Sequence, residues 1–519
     1  MLVAFVTLGV GSVALLPTLQ ADSDMLAALP ADAPEVQTFR EIATRFGGLD
    51  VAQVGIVSDA VFSHDFLQHL KAASQEVMGL PGIKHVSSLT TVQDFVADPE
   101  HGGIITDHLV SQVPSDAAGL KALRDRIMAQ PQIVGNLISP DGRAVQVVCF
   151  LQQHVQQVAV ARSIEAVFAK HFPRDHLALG GAPFIGLYVS DVTQSDVTKL
   201  APWSTLALIG ILLLALGDAR RVAVVLGGTS LGALLWLGLL SVVGARLTPV
   251  LSSLPVLLFG IGVAYNLHVL ERTAGAPSWS AVLHACRPTL TAAGVTAAAL
   301  GVLAAVPHTR AFGWMAAVGV LMMMAVAMTF VPAVVGFFSM AAPPSRLGSW
   351  IEGLRPVGRR GLLLYGLAVG AALLLMLRLE KRVDMASLLG PKSPPAQANR
   401  FMGEHFGGSQ FLQMEIDGDF NDPLVLRELQ WVADQASLTP GVVSVTHIGD
   451  VLAKANEGME GTSRLPDSRD KAQLLYGFVG SDPAVAQLIT RDADHAMILI
   501  RVSDAPGAED EAVRRIEAL

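Results

Sequence analysis

Seven stretches of the chain are apolar and free of Asp, Glu, Lys and Arg over a length that suits a membrane-spanning helix. Such a helix needs about 20 apolar residues, with roughly 17–25 usual. An ion at bilayer depth costs at least about 2.5–3.5 kcal/mol, which is why these stretches exclude charge. The sequence predicts spans at 1–21, 200–217, 222–245, 247–270, 288–309, 311–345 and 361–377. A signal peptide is the alternative for 1–21, but no basic n-region precedes its apolar run.

Two long polar blocks, 22–199 and 378–519, separate these stretches. Within them, short apolar runs such as VAQVGIV (51–57) alternate with helical patterns such as FLQHLKAASQEVM (66–78). Strands that alternate with helices indicate an α+β sandwich with the helices on one face of a sheet. The predicted fold class is a polytopic α-helical membrane protein with two α+β domains. The predicted order is helix 1–21, domain 22–199, five-helix block 200–340, linker 341–360, helix 361–377 and domain 378–519.

Composition supports the membrane assignment. Charged residues make up 16% of the chain and mean hydropathy is +0.49, whereas soluble domains carry about 25% charged residues. The two polar blocks each have a net charge of -8, and residues 200–377 have +7. This distribution argues against nucleic-acid binding, which requires a basic face.

The basic residues of the short loops predict the orientation. With the amino terminus inside, eight arginines lie in cytoplasmic loops and only Arg246 and Arg310 lie in the opposite loops. Because cytoplasmic loops are enriched in Lys and Arg, both acidic domains are expected outside. In a bacterium with two membranes this places the protein in the inner membrane, with its large domains in the periplasm.

Motifs for enzyme chemistry, a cofactor or a metal are not found in the sequence. There is no Walker A sequence, no HExxH and no GxSxG elbow. GGAPFIG (180–186) lacks the Lys-Ser/Thr that would follow in a nucleotide loop. The two cysteines, Cys149 and Cys286, are isolated and predict neither a disulfide framework nor a zinc site. We therefore expect neither an enzyme nor a bound cofactor.

The two polar blocks are related by an internal repeat. Asp24-Met25 matches Asp384-Met385, and Phe46-Gly47-Gly48 matches Phe406-Gly407-Gly408. PGIKHV (81–86) answers PGVVSV (440–445), and LISPDGRAVQVVCFL (137–151) answers LITRDADHAMILIRV (488–502). Four matches in order, each after a predicted span, favour duplication over two unrelated domains. The second copy stops inside the helix that matches residues 155–170, so we expect the chain to be truncated there.

The arrangement resembles the resistance–nodulation–division (RND) superfamily, and within it the MMPL branch, which includes exporters of lipids and hopanoids. FGIGVAYNLHVLER (259–272) is similar to the fourth-helix pattern of that family, and RPTLTAAGVTAAALGVLA (287–304) to its fifth helix. The sixth helix is matched by FGWMAAVGVLMMMAVAMTFVPAVVGFF (312–338). The resemblance covers essentially the whole chain. It implies twelve spans in a complete member and a five-helix unit of the sterol-sensing type.

One departure from the family concerns the acidic residue that takes up and releases protons in the fourth helix. Aligning Gly260, Gly262 and Tyr265 places Ala264 at that position, and an alanine cannot titrate. Either a missing second half holds the relay, or a neighbouring group substitutes, or the protein is not proton-driven.

Polar residues inside the predicted spans are the candidates for a transport or proton path. They are Tyr265, Asn266, His268, Glu271 and Thr291. His268 shares a helix face with Ala264, although it could equally pack near the headgroups. Glu271 beside Arg272 also suits an interfacial ion pair. Thr291, with Thr289 and Thr296, could hydrogen-bond to the fourth helix or simply allow close helix packing.

The resemblance implies a proton-driven secondary transporter that exports lipid or hydrophobic compounds. Its partners would be membrane lipid or a hydrophobic small molecule, and a homo-oligomer is possible. Two alternatives stay open. One is a lipid- or sterol-sensing regulatory protein, and the other is a half-transporter that needs a separately encoded second half.

Overall fold

The computed structural model describes residues 2–15, 17, 34–46, 51–97, 104–130, 132–152, 155–173, 176–245, 251–273, 279–338, 359–376, 390–480, 484–505 and 507–518. These residues form two compact units. A helical unit contains residues 1–36 and 193–381, and an α+β unit contains residues 37–192 and 382–519.

Apolar helices build the helical unit. They are α1 (Leu2–Leu15), α6 (Ala182–Leu216, which enters this unit at Thr193), α7 (Ala219–Val243), α8 (Leu254–Thr273), α9 (Trp279–Val302), α10 (Arg310–Phe338) and α11 (Arg359–Met376). Short 3-10 turns at 251–253, 303–305 and 307–309 adjoin α8, α9 and α10.

Five of these helices are long and apolar enough to cross a membrane: α6 to α10. The stretch within α11, Leu363–Met376, is a shorter apolar helix, and α1 has 14 residues. The predicted stretch 1–21 therefore contains a described helix only as far as Leu15. Pro343-Pro344, the expected end of the sixth stretch, lies outside the described residues, as does most of the predicted linker 341–360.

Helix α6 differs most from its prediction. The second span was expected to begin at residue 200, yet the helix begins at Ala182 and continues through Pro202 to Leu216. Its first half carries Asp191, Asp196 and Lys199. Absence of charge marks where a helix can enter a membrane, but it does not mark where the helix begins.

The first lobe of the α+β unit contains helices and a four-stranded sheet, in which the strands follow the order β2-β5-β1-β6. Its elements are β1 (Val51–Val57), α3 (His64–Met78), β2 (Ile83–Ser87), β3 (Gln93–Ala97), β4 (Ile104–His108), α4 (Ala117–Met128), β5 (Ala144–Leu151), α5 (Gln157–His171) and β6 (Leu177–Gly180). Strands β3 and β4 form a separate antiparallel pair. The predicted strand 51–57 and the predicted helix 66–78 agree with β1 and α3.

The second lobe has the same core topology. Its elements are β7 (Gln410–Asp417), α13 (Pro423–Ser437), β8 (Val442–Thr446), α14 (Ile448–Glu460), α15 (Arg469–Val479), β9 (His495–Val502) and α16 (Ala508–Ile516), with the sheet order β7-β9-β8. In the first lobe β5 pairs antiparallel with β1 and β2, and in the second lobe β9 pairs antiparallel with β7 and β8. A register shift also falls at the same place, between Ile83 and His85 and between Val442 and Ser444.

The two lobes exchange a helix. Helix α12 (Pro394–Phe406), which precedes the second lobe, packs on β1 and β6 of the first lobe. Its Phe401 and Met402 form an apolar cluster with Ala144 of β5. Because β1 has a glycine at position 55, the Phe401 ring lies directly on that strand.

The reciprocal contact comes from α2 (Pro34–Arg45), which precedes the first lobe. Ile42 and Phe46 at its end pack on Met497 and Leu499 of β9. Arg45 forms an ion pair with Glu415 of β7. Each sheet therefore has one face covered by its own lobe's helices and part of the other face covered by a helix that the other repeat contributes.

Candidate functional site

Asn266 is the most deeply buried polar side chain of α8. Its Nδ2 donates to Gly262 O at 2.8 Å and to Thr229 Oγ1 of α7 at 3.2 Å. Its Oδ1 has no hydrogen-bond partner among the described residues. The backbone of Gly228 leaves the space that this amide occupies, because a Cβ there would overlap Oδ1. Asn266 thus joins α7 to α8 and keeps one unused acceptor.

The predicted path residues do not lie together. Tyr265 and Asn266 are buried within the helical unit, whereas His268 and Glu271 are exposed on its surface. Ala264 is exposed as well, so it does share a face with His268. This split follows from helical geometry, because residues four apart share a face and adjacent residues do not.

Two threonines of α9 hydrogen-bond within their own helix. Thr291 is exposed and donates to Pro288 O of its own helix at 2.8 Å, and Thr296 donates to Ala292 O at 2.9 Å. These hydroxyls therefore make the usual intrahelical bonds of helical threonines. Neither makes the interhelical hydrogen bond to α8 that the sequence allowed.

The methionines of α10 pack inside the unit. Met323, Met324 and Met328 are buried. A Cβ on Gly232 of α7 would lie 2.6 Å from Met323 Sδ, and a Cβ on Gly262 of α8 would lie 2.9 Å from it. Glycines on two helices thus make room for one flexible thioether, a role that suits methionine.

A cavity of about 560 Å³ lies inside the α+β unit, and we call it the inter-sheet cavity. Side chains of both sheets line it, and so does the loop around Gln130–Leu137 of the first lobe. Its sheet walls are Val51, Gln53, Gln146, Val148 and Phe150 of the first lobe and Phe411, Gln413, Leu499 and Arg501 of the second.

Strand alternation determines which residues reach the cavity. In β5, Val145, Val147 and Cys149 point into the core of the first lobe, so Val148 and Phe150 take the other face. In β9, Ile498 and Ile500 point into the core of the second lobe. The exchanged helices cover one end of each outer face, and the inter-sheet cavity occupies the other end.

Four side chains that line this cavity carry a buried polar atom without a hydrogen-bond partner among the described residues. Gln93 Oε1, Gln146 Oε1, Gln413 Oε1 and Arg501 Nε are buried without a hydrogen-bond partner among the described residues, and all four side chains line it. Buried polar groups are normally paired, so each such atom calls for an explanation. An apolar pocket with a few convergent polar groups is the usual form of a ligand site.

Sequence reasoning did not find these residues. Arg501 lies in MILIRV, which reads as an apolar strand. The signal was nevertheless present, because the repeat aligns Arg501 with Phe150 of the first copy. A charge at a position that is aromatic in the other copy marks a difference between two otherwise similar strands.

A cluster of titratable groups lies at the far end of the second sheet. His495 Nδ1 lies 2.5 Å from Asp417 Oδ1 and 3.3 Å from Glu415 Oε1. These three side chains have the spacing of a possible metal site. Arg45 of α2, however, already binds Glu415. The cluster is therefore explained as the ion-pair network that attaches the exchanged helix.

The class of protein follows from the two units. One unit has five helices that are long and apolar enough to span a bilayer. The other unit is built from helices and strands. Together they define a polytopic membrane protein with α+β domains. The sequence profile of the MMPL family matches residues 27–359, well over half of the chain. The chain belongs to the MMPL family, which confirms the MMPL resemblance seen in the sequence. Members of this family are transporters rather than enzymes, as expected.

Solved structures give more distant matches. One crystal form of a heavy metal efflux pump has 14% sequence identity and a TM-score of 0.33, over 57% of this chain and 37% of the pump. A second crystal form has 16% identity and a TM-score of 0.33, over 56% and 35%. The chain thus spans little more than a third of the length of these pumps. No curated protein matches the chain.

Proposed function

We propose that the protein is an RND-type secondary transporter that moves lipidic or other hydrophobic cargo outward from the cytoplasmic membrane. The inter-sheet cavity would be its cargo site outside the membrane. The observation that carries the proposal is a cavity with apolar walls whose lining includes four side chains that each carry a buried, unpaired polar atom among the described residues. Its volume falls within the roughly 300–1,000 Å³ that is usual for small-molecule sites.

The orientation supports outward movement. The arginine asymmetry of the loops favours a position of both lobes outside the membrane, where they would receive cargo from the outer leaflet or from the helical unit. The shared topology of the lobes supports their origin by duplication. In transporters built from repeats, one repeat moves against the other. Such a movement would change the width of a cavity between two sheets.

Complementation tests the cargo site. Deleting the gene should change envelope lipid composition and raise sensitivity to hydrophobic toxins, and the wild-type gene should restore both. Val148→Trp places an indole inside the cavity and should not restore them. Leu424→Trp changes an exposed position of α13 and is the matched control. Full complementation by Val148→Trp would exclude the cavity as the cargo site.

Proton coupling is the second part of the proposal. Ala264 cannot carry a proton, and His268 on the same exposed face is the neighbouring group that would substitute for it. In proteoliposomes, an imposed pH gradient should drive cargo movement by the wild type and not by His268→Ala. His284→Ala, which removes an exposed histidine of α9, serves as the control. Equal transport by His268→Ala would assign the relay elsewhere.

A lipid sensor is the second candidate, because the relay position is an alanine. Such a protein would bind lipid in proteoliposomes and show no response of binding or movement to the gradient. A third candidate, a half-transporter, would transport only after a separately encoded second half is added. The same proteoliposomes, with and without that second half, distinguish all three.

A further inference from the structure

Arg501 is a buried cation in the wall of the inter-sheet cavity. Its side chain belongs to β9, and the residue is 3% exposed. Nη1 donates to the carbonyl of Gly135 in the first lobe at 2.5 Å and reaches that of Phe406 at 3.4 Å. Nε has no hydrogen-bond partner among the described residues. Two carbonyl oxygens therefore hold one end of the guanidinium, and the Nε side makes no bond to a described residue.

No carboxylate forms an ion pair with Arg501 among the described residues. Two aromatic rings flank it instead, Phe411 at 4.8 Å and Phe406 at 5.8 Å from ring centroid to Cζ. Burial without an anion disfavours the charged form and lowers the pKa of Arg501 to about 10. A buried charge without a counter-ion is unusual, because buried arginines are almost always paired.

The other charged groups around the cavity already have partners. Asp94 accepts from the amide of Gln130 at 3.3 Å, and Lys454 bonds to Glu457 at 3.1 Å. Asp450 lies 3.5 Å from His447. Arg501 is thus the one charged side chain of the cavity wall that has no side-chain hydrogen-bond or ion-pair partner within the described residues.

The glutamines add neutral hydrogen-bonding groups. Gln93, Gln146 and Gln413 each present an unpaired amide oxygen, which can accept from a hydroxyl or a protonated acid. Val148, Phe150 and Leu499 supply the apolar part of the wall. The site therefore offers one cation, several amides and an apolar surface, which together fit a molecule with an anionic, hydroxyl-bearing head and a hydrocarbon tail.

We propose that Arg501 binds the anionic head group of an amphiphile whose hydrocarbon chain lies along the apolar wall. This assignment rests on the proposed function and narrows its cargo class to anionic amphiphiles such as alkyl phosphates or carboxylates. The acidic surface of both lobes does not prevent this, because surface charges more than about 10 Å away are largely screened at physiological salt. A buried guanidinium acts at contact distance.

Binding of short probes to the full-length protein in nanodiscs of neutral lipid tests the proposal. Octyl phosphate, 1-octanol and octyltrimethylammonium share one chain and differ only in the head. We expect octyl phosphate to bind at least about tenfold more tightly than octanol, which is the size of one charge-assisted contact. Arg501→Met should bring the two affinities within about twofold, and Arg501→Lys should keep part of the difference.

Controls separate this role from a structural one. Arg162→Met removes an exposed arginine paired with Asp191 and should leave all three affinities unchanged. Val148→Trp should abolish binding of every probe. If octanol and octyl phosphate bind with equal affinity and Val148→Trp abolishes the binding of both, the preference for an anionic head group is refuted. The cavity would then still be the cargo site.

Two further outcomes count against the proposal. Loss of all probes in equal proportion in Arg501→Met, with a lower melting temperature, would show that Arg501 only holds the lobes together. Binding that Val148→Trp does not affect would remove the cavity as the cargo site, and the present assignment with it. If Arg501→Met does not fold, Arg501→Gln keeps a hydrogen-bond donor to Gly135 and allows the same comparison.

Discussion

The contact between Gly55 and Phe401 provides a direct measure of helix exchange. A Cβ on Gly55 would overlap the Phe401 ring and lie 2.5 Å from its Cζ. Phe401 is 7% exposed and also contacts Phe406, with ring centroids 5.7 Å apart. Because β1 is paired on both edges and a phenyl ring is rigid, neither the strand nor the ring can move away without a cost in free energy. We therefore expect Gly55→Ala to push α12 away from the first sheet.

The magnitude follows from overpacking, which typically costs about 1–3 kcal/mol. At roughly 2 °C per kcal/mol for a large domain, Gly55→Ala should lower the melting temperature of the purified protein by about 2–6 °C. Phe401→Ala opens a cavity instead and should cost about 3–5 kcal/mol. In the double variant the alanine at position 55 no longer meets a ring. The loss of stability of the double variant should therefore be smaller than the sum of the two single losses by about 1–3 kcal/mol.

Differential scanning fluorimetry measures these shifts, and hydrogen exchange localises them. Peptides from α12 should exchange faster in Gly55→Ala, because local opening of that helix becomes easier. Gly477→Ala is the matched control, since nothing lies within 4 Å of a Cβ at that helical position. Additive effects of the two substitutions, or an unchanged exchange rate of α12, would refute the docking of Phe401 on Gly55.

Three further predictions follow from single contacts. Gly408→Ala should abolish accumulation of folded protein in membranes, because a Cβ there overlaps the carbonyl oxygen of Val502; normal expression on an immunoblot would contradict this. Gly228→Ala should lower the melting temperature because its Cβ overlaps Asn266 Oδ1, and Asn266→Ala in the same chain should recover part of the loss. Burial lowers the pKa of His447, so the unfolded chain takes up that proton first and stability should fall as pH drops below about 6.5. His447→Asn keeps a capping side chain, and in thermal unfolding it should lose less stability than the wild type between pH 7.5 and 5.5. An identical dependence of stability on pH in the two proteins would assign the loss to other groups. Asp450, whose pKa burial raises, acts in the opposite direction.

Charge-free length was a reliable guide to the centres of the long helices, because the cost of burying an ion operates on every residue of a span. It was a poor guide to their ends. The charged residues of α6, for example, are compatible with a helix outside the bilayer. Local patterns likewise located β1 and α3, where alternation and helical periodicity were clear.

Helix exchange was beyond such reasoning. The partner of β1 on its outer face is α12, whose contact residues lie more than 300 positions later in the chain. Nothing in the periodicity of either segment distinguishes this partner from another amphipathic helix. Similarly, the alignment of Ala264 with a relay acid came from a motif, but the separation of Asn266 from His268 became visible only when the helices were packed.

Arg501 shows what a local sequence pattern indicates and what only the packed structure reveals. Its segment MILIRV is an apolar run, yet the orientation of the odd-numbered side chains of β9 depends on which face the core occupies. Once Ile498 and Ile500 are known to point inward, Arg501 must point to the cavity. The repeat then identifies it as a substitution of a charge for an aromatic ring.

The exchange of helices also constrains biosynthesis. A ribosome adding about 5–20 residues each second delivers Phe401 tens of seconds after Gly55, so the outer face of the first sheet stays bare for that interval. An emerging domain of this kind needs protection by a chaperone or by the translocation machinery until its cover arrives. Separating the two lobes into independently expressed halves would prolong that vulnerable interval until the halves meet.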